Sequence, residues 1–159
     1  MILCALFPCW LIPVTVVEPP PVTPNTLRIA AALVIGADGR TLLVRKRGTL
    51  AFMQPGGKIE PYEQPIDALV RELEEELALT LDPASARYLG HFCAPAANEP
   101  GFDVQAELFL VPIKQAVAPA AEIEEVQWID PSGDGGLVLA PLTRDLILPF
   151  YRRSVHTPV

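Results

Sequence analysis

Cysteine and histidine are scarce in this chain, which has three cysteines and two histidines among its 159 residues. Cys4, Cys9 and Cys93 form no CxxC pair, so the sequence predicts neither a disulfide framework nor a structural zinc site. An odd number of cysteines without such a pair is typical of a reducing compartment, and we therefore expect a cytoplasmic protein.

Positive charge is also in short supply. The chain has 12 lysines and arginines against 19 aspartates and glutamates, which gives a net charge of −7. Because an acidic chain without a long basic run has little with which to grip a phosphate backbone, nucleic acid is not an expected partner. A single small anion can still be bound through metal ions or a local group of arginines.

No segment combines a positive start with a long unbroken apolar run. The first 26 residues begin with about 17 apolar and uncharged residues, interrupted by Pro8 and Pro13. This run lacks the positive region of a secretory signal and is short for a membrane helix, so we expect no membrane partner. An added strand, a partner-binding arm and a misplaced start codon remain open for residues 1–26, and Pro19–Pro24 resembles an extended linker.

Hydrophobic residues are plentiful, at 50% of the chain, and the length favours one domain with a packed core. We predict strands at 27–35 and 41–47 joined by a hairpin turn at Asp38-Gly39, and a breaker loop at Gly56-Gly57. The further predicted elements are a helix at 65–77, strands at 86–94, 102–113 and 125–130, and a closing helix at 140–151. This order does not alternate, so it indicates an α/β protein of the α+β type, with a mixed sheet and helices packed on it. The expected domain is 27–151, followed by a tail at 152–159.

The predicted helix at 65–77 carries an acidic stripe. A projection at about 100° per residue places Glu72, Glu75 and Glu76 on one arc beside the apolar face, whereas Glu74 lies towards solvent. One interpretation is a solvated acidic face. The other is a Mg²⁺ site, because carboxylates three and four residues apart can converge on a cation that prefers oxygen ligands.

The loop and helix together spell a longer pattern. Gly57, Glu63, Arg71-Glu72-Leu73, Glu75-Glu76 and Leu79 fit the Nudix box G-x5-E-x7-R-E-U-x-E-E-x-G-U, in which U is aliphatic. The chain therefore resembles a Nudix hydrolase of the MutT-like type, and the resemblance implies an αβα sandwich. Ala78 stands where the family usually has glycine, and we expect it to extend the helix or to shift its cap.

The resemblance also implies roles for individual residues. It implies hydrolysis of a diphosphate linked to a nucleoside, with Mg²⁺, or Mn²⁺ in its place, as cofactor. The implied metal ligands are Glu72, Glu75, Glu76 and the carbonyl of Gly56. Arg71 and Glu63 would orient these carboxylates, and Glu72 is the first choice for the base, although a glutamate of a later loop or strand, such as Glu122, Glu124 or Glu125, remains open. Arg71 as a plain ion pair with Glu75 also remains open.

Four further site residues follow from their positions. Glu107 lies in an apolar strand, where a bare carboxylate is costly, so it is either an extra metal ligand or an outward-facing residue. Strand alternation sends Arg45 and Arg47 to one face, where they either meet substrate phosphates or remain surface charges. Gly57, which lets a ligand approach the backbone closely, is the remaining expected substrate contact.

The substrate itself is open between several classes. A nucleoside triphosphate, oxidised or otherwise non-standard, is the first expectation for the small-molecule partner. Pro95 lies 16 residues beyond the box, a spacing similar to that of ADP-ribose hydrolases, so ADP-ribose or a nucleotide sugar is the alternative. A third interpretation, from another class, is a nucleotide-binding module with the Nudix fold and no catalysis. A homodimer is also left open.

Overall fold

The computed structural model describes residues 25–155. The interpretations of the N-terminal extension therefore fall almost entirely outside the described residues. Within residues 25–155, none of the helices has the length and apolarity needed to cross a membrane.

The centre of the fold is a six-stranded mixed sheet. Its strands are β1 (Thr26–Ile35), β2 (Thr41–Lys46), β3 (Gly56–Lys58), β4 (Arg87–Pro95), β5 (Asp103–Pro112) and β6 (Ile123–Ile129). They lie in the order β4-β5-β1-β2-β6, with β3 paired to β1. β1 and β5 are parallel, whereas the other pairs are antiparallel.

Helices cover both faces of this sheet. Helix α1 (Pro65–Leu77) packs with Ala30, Ala32 and Val34 of β1 in one hydrophobic cluster. The alternate residues Ala31 and Leu33 face the other way, towards the C-terminal helical segment. Because β1 is buried on both faces, its sequence is a continuous apolar run rather than an alternating one. The expected αβα sandwich with a mixed sheet is confirmed.

The hairpin between β1 and β2 is present, but its turn differs from the prediction. Ile35 pairs with Thr41, and residues 36–40 form the loop. Gly39 has φ 80°, whereas Asp38 does not take a positive φ. The Asp38 carboxylate instead accepts hydrogen bonds from the backbone N–H and Nε of Arg40, at 3.1 and 2.7 Å, which holds the longer loop.

The paired glycines form a strand, which corrects the prediction of a plain loop. β3 pairs with β1 through Ala30↔Gly57 and Ala31↔Gly56. Gly56 has φ 139°, and a Cβ there would lie 2.1 Å from the carbonyl oxygen of Ala30. Only glycine therefore lets the chain run this close to the central strand.

The end of α1 falls where the sequence predicts it, despite the missing glycine. Ala78 takes the left-handed conformation itself, with φ 52° and ψ 33°. Its N–H donates to the carbonyl of Glu74, and the N–H of Leu79 donates to the carbonyl of Leu73, which closes the helix. The expected extension or shifted cap is wrong, because alanine accepts the strained backbone instead.

The closing helix lies close to its predicted position and has two parts. Leu142–Ile147 is π-helical, and α2 (Leu148–Val155) follows it directly. The wider turns come just before Pro149, which has no N–H to donate and whose ring would crowd the carbonyl four residues earlier in a regular helix. A single 3₁₀ turn at Pro83–Ser85 follows α1.

The strained cap predicts that Ala78→Gly stabilises the fold. A left-handed alanine costs roughly 1–2 kcal/mol, and the greater freedom of glycine in the unfolded chain offsets part of the gain. We expect the free energy of unfolding to rise by about 0.5–1 kcal/mol in urea titrations. Ala86→Gly is the control, because Ala86 has an ordinary φ of −87° and its replacement should be destabilising. If both substitutions lowered the free energy of unfolding equally, the backbone at Ala78 would not be strained.

Candidate active site

Glu76 is a fully buried carboxylate at the last turn of α1, with 0% of its surface exposed. Its Oε2 accepts a hydrogen bond of 3.0 Å from the N–H of Gly56. Lys46 Nζ lies 3.2 Å from Oε1 but outside hydrogen-bonding geometry, so Oε1 has no hydrogen-bond partner among the described residues. Burial raises the pKa of Glu76 to about 7, against the opposing effects of the Gly56 N–H and Lys46.

Glu72 lies one turn earlier on α1, directly against the second glycine of the pair. A Cβ on Gly57 would lie 2.3 Å from Cδ of Glu72 and 2.4 Å from each of its carboxylate oxygens. The carboxylate therefore occupies the space that any other side chain at position 57 would fill. The Gly57 backbone and Glu72 form one surface.

Arg71 links three parts of this region. Its Nε and Nη2 donate to the two oxygens of Glu63 at 3.0 Å each, and its Nη1 donates to Oε1 of Glu72 at 2.6 Å. Its Nη2 also reaches the carbonyl of Lys58 at 3.1 Å. Glu63 raises the pKa of the guanidinium, and the hydrogen bond from Arg71 lowers the pKa of Glu63. Glu63 thus fixes Arg71, and Arg71 fixes Glu72.

The acidic stripe is unequal in burial. Glu76 is buried and Glu72 is mostly covered, but the Glu75 side chain is 56% exposed and approaches Arg71 only to 4.0 Å. Glu74 is exposed on a different side of the helix, as the helical projection predicts.

These residues suit a hard cation by the chemistry of their donors. Carboxylates and a backbone carbonyl are the oxygen ligands that Mg²⁺ prefers, and Oε1 of Glu76 is a buried acceptor without a hydrogen bond. Within residues 25–155, no three acidic, histidine or cysteine side chains come close enough together to hold a metal ion. Instead, Arg71 occupies one oxygen of Glu72 and the Glu75 side chain extends into solvent. The donors fit Mg²⁺, although their side chains are not gathered around one point.

Beside this region lies a cavity of about 530 Å³. Glu72 and the two glycines contribute to its wall. The remaining lining includes three cationic side chains, two acidic residues, a buried amide and several apolar residues: Lys46, Arg47, Lys58, Glu99, Glu122, Gln54, Leu27, Ile29, Ala31, Val104 and Leu142. The same cavity therefore offers charged groups that suit phosphates and an apolar surface that suits a flat ring.

The strand that ends at the cavity presents different cations from those expected. A register shift between Arg45 and Lys46 breaks the alternation of β2. Lys46 and Arg47 consequently line the cavity, and Arg45 is not among its lining residues. Arg45 donates to Glu124 and Glu125 at 2.7 and 2.9 Å. The position of Arg45 therefore does not support the expected contact with substrate phosphates, whereas the position of Arg47 does.

Lys46 is the residue that sequence reasoning missed here. Its ammonium group lies 2.8 Å from Oε1 of Glu122 as well as 3.2 Å from Glu76. Burial alone would lower the pKa of Lys46, but the two carboxylates raise it. Of the three acidic residues in the later run, only Glu122 lines the cavity. Strict alternation along β2 would place Lys46 on the face opposite to Arg47. The bulge between Arg45 and Lys46 brings both residues to the cavity, and the sequence gives no sign of it.

Glu107 lies apart from the cavity. It pairs with Ala30 of β1 and with His91 of β4. Its carboxylate accepts a 2.6 Å hydrogen bond from the hydroxyl of Tyr88 and lies 3.2 Å from Nδ1 of His91. Burial and this carboxylate raise the pKa of Tyr88 to about 12. These two partners account for a carboxylate in an apolar strand, and a metal-binding role for Glu107 remains a prediction.

Comparisons with known proteins bear on the whole domain. The NUDIX domain model matches residues 25–133. A stretch of 58 residues, 36% of this chain and 31% of the relative, is 43% identical to the RNA pyrophosphohydrolase of Halorhodospira halophila (strain DSM 244 / SL1). A protein of Myxococcus xanthus named octanoyltransferase is 37% identical over 120 residues, 70% of this chain and 32% of that protein. The chain spans about a third of the length of these curated relatives.

Solved structures share the fold at low sequence identity. The MutT protein of Methanosarcina mazei Go1 superposes with a TM-score of 0.70 and 21% identity, over 86% of this chain and 100% of that one. Likeness at this level of identity establishes the architecture alone.

The contacts of Glu76 predict that Lys46→Met destabilises the protein. Methionine keeps the apolar stem but leaves the buried carboxylate without a nearby cation, which should lower the free energy of unfolding by about 1–2 kcal/mol in metal-free buffer at neutral pH. Lys58→Met is the control, because the Lys58 side chain is 66% exposed and forms one 3.4 Å pair. It should change stability by less than about 0.5 kcal/mol.

A double variant checks the cause of this loss. Adding Glu76→Gln to Lys46→Met removes the unpaired charge and should restore most of the lost stability. If Lys46→Met lowers the free energy of unfolding no more than Lys58→Met does in urea titrations, Lys46 does not offset the charge of the buried Glu76 carboxylate.

Proposed function

Because this chain belongs to the Nudix family, we propose that it is a Mg²⁺-dependent pyrophosphohydrolase acting on a nucleoside diphosphate linked to another group. One observation carries the proposal. A single cavity is lined by Glu72, by the paired glycines and by Lys46, Arg47 and Lys58. A carboxylate able to take a proton and several cations able to hold phosphates thus face the same space.

The proposed reaction consumes one water molecule for each diphosphate cleaved. A P–O bond of the diphosphate bridge breaks, the hydroxyl of water joins one phosphorus, and the other phosphate leaves with the bridging oxygen. Glu72 accepts the proton of the water as general base. Lys46, Arg47 and Lys58 offset the charge of the substrate phosphates.

The metal ligands in this proposal are Glu72, Glu75, Glu76 and the carbonyl of Gly56. A bound Mg²⁺, or Mn²⁺ in its place, supplies charge neutralisation at the diphosphate and lowers the pKa of the attacking water. Two observations support this set of ligands: all of them are oxygen donors, and Oε1 of Glu76, although paired with Lys46, accepts no hydrogen bond among the described residues.

Arg71 and Glu63 act as positioning residues in the proposal. The bidentate pairing of Arg71 with Glu63 limits the freedom of the guanidinium, and the 2.6 Å hydrogen bond to Glu72 then limits the freedom of the base. Gly57 contributes by having no side chain, since even a methyl group would displace the Glu72 carboxylate.

A nucleoside triphosphate, normal or oxidised, is the proposed substrate. The cavity volume of about 530 Å³ lies within the range that suits one small organic ligand. The name of the Halorhodospira halophila relative, an RNA pyrophosphohydrolase, supports cleavage of a diphosphate next to a nucleoside. ADP-ribose is a second candidate because Pro95 contributes to the cavity wall.

Metal removal tests the proposed chemistry first. Release of phosphate or pyrophosphate from a panel of nucleoside triphosphates and ADP-ribose should require Mg²⁺ or Mn²⁺ and stop in excess chelator, because the ligands are hard oxygen donors. Product masses identify the bond that breaks. Full turnover in chelator would overturn the metal assignment, and no turnover on any of these substrates would favour a non-catalytic binding module.

The two neighbouring glutamates of α1 provide a matched pair of variants. Glu72→Gln keeps the shape of the side chain but removes its basicity, so kcat should fall by at least about 10²-fold. Glu74→Gln changes the same residue type two positions away, at an exposed site outside the cavity lining, and should change kcat by less than about threefold.

The melting temperatures of both variants are compared with that of the unmodified protein, so that a loss of kcat caused by unfolding is recognised. Equal losses of kcat would contradict the assignment of helix faces. Unchanged kcat in both would remove Glu72 as the base and direct the search to Glu122, which also lines the cavity.

A further inference from the structure

Gln54 is a buried residue of the cavity wall whose amide lacks a full set of hydrogen bonds. The residue belongs to the cavity lining, and only 6% of its surface is exposed. Its Oε1 accepts a 2.7 Å hydrogen bond from the hydroxyl of Thr143. Its Nε2 has no partner among residues 25–155. A buried amide nitrogen with two hydrogens and no acceptor is uncommon in folded proteins, and such a group calls for a ligand or water.

Thr143 determines which end of the Gln54 amide remains without a partner. It lies on the π-helical segment and is fully buried. Because its hydroxyl donates to Oε1, the amide oxygen is engaged and the NH₂ group is the end that remains for a ligand. The pair therefore leaves a hydrogen-bond donor without a partner within a residue of the cavity wall.

The surroundings of Gln54 suit a nucleobase. Ile29, Ala31, Val104 and Leu142 provide apolar wall in the same cavity, and an apolar wall with a few polar groups is what orients a flat ring. Guanine presents the oxo group O6 as an acceptor, and thymine and uracil present O4, whereas adenine and cytosine present amino groups at the corresponding positions. The acceptor N7 is common to both purines and does not separate them. A free glutamine can pair with adenine by accepting from N6, but the hydrogen bond from Thr143 holds the Gln54 oxygen towards the π-helical segment.

We propose that Gln54, held by Thr143, is a specificity-determining residue that donates from Nε2 to an oxo group of the base. Nucleotides of guanine, thymine or uracil are then preferred to those of adenine or cytosine. This inference rests on the proposed function, since it assumes that the cavity holds the nucleoside of the substrate. Thr143 acts through Gln54 as a positioning residue.

Base preference is measured with kcat/KM for GTP and ATP, and for UTP and CTP, in the presence of Mg²⁺. We expect the unmodified protein to prefer the oxo base in each pair by about tenfold or more, because the site then leaves no buried donor unpaired. Gln54→Met keeps the size of the side chain and should reduce the preference to within about threefold. The change should lie mainly in KM, because the base is remote from the bond that breaks.

Two substitutions at Thr143 separate orientation from packing. Thr143→Val removes the hydroxyl, so the amide is free to turn its oxygen to an amino base, and the preference should fall as in Gln54→Met. Thr143→Ser retains the hydroxyl and should retain the preference. Asn98→Ala is the control, because Asn98 also lines the cavity but is exposed, and its loss should leave the preference unchanged.

Calorimetric binding of GMP and AMP provides a readout that needs no turnover. Tighter binding of GMP that is lost in Gln54→Met supports the inference even if no triphosphate is hydrolysed, in which case only the proposed function fails. Hydrolysis of GTP and ATP at equal rates, or a preference that persists in Gln54→Met, overturns the inference and leaves the proposed function intact. Equal binding of GMP and AMP also overturns it.

Discussion

The buried carboxylate of Glu76 is the constraint on which the site depends. It extends from the last turn of α1 and is held by the N–H of Gly56 on β3 and by Lys46 at the end of β2. A carboxylate without solvent is costly unless its oxygens are satisfied, so these elements must meet at one place. Gly56 can reach that place only because it lacks a side chain and lies directly against the carbonyl of Ala30. The backbone of the glycine pair and the acidic helix are therefore parts of one structure.

The acidic helix distributes its charges unequally, and this limits the repulsion that carboxylates three and four residues apart on a helix would otherwise have. Glu76 is buried, Glu72 is hydrogen-bonded to Arg71, and Glu75 extends into solvent. Arg71 in turn is fixed by Glu63, so each carboxylate near the cavity has a defined electrostatic partner. This network fixes the Glu72 and Glu76 carboxylates before any ligand binds, whereas Glu75 is free to move towards one.

Much of this arrangement follows from the sequence, and the exceptions have physical causes. Pro65, which suits the first turn of a helix, predicted where α1 begins, and the periodicity of α1 predicted the stripe, because side-chain spacing sets the faces of a helix. Alternation failed at Arg45 and Lys46, where a bulge exchanges the residues that face the cavity. Ala78 kept the cap because its own N–H and that of Leu79 close the helix on the carbonyls of Glu74 and Leu73. Gln54 was missed because its importance comes from Thr143, 89 residues away in the chain, and no local pattern joins the two.

The proposed function requires Glu72, Glu75 and Glu76 to form a cation site rather than a solvated acidic face. Titration of the full chain with Mn²⁺, followed by electron paramagnetic resonance, counts bound ions and measures their affinity without a substrate. We expect at least one Mn²⁺ per chain, with affinity lowered by about tenfold or more in Glu76→Gln and unchanged in Glu74→Gln. If the unmodified chain binds no Mn²⁺, or if the two variants bind it equally well, the stripe is not a metal site.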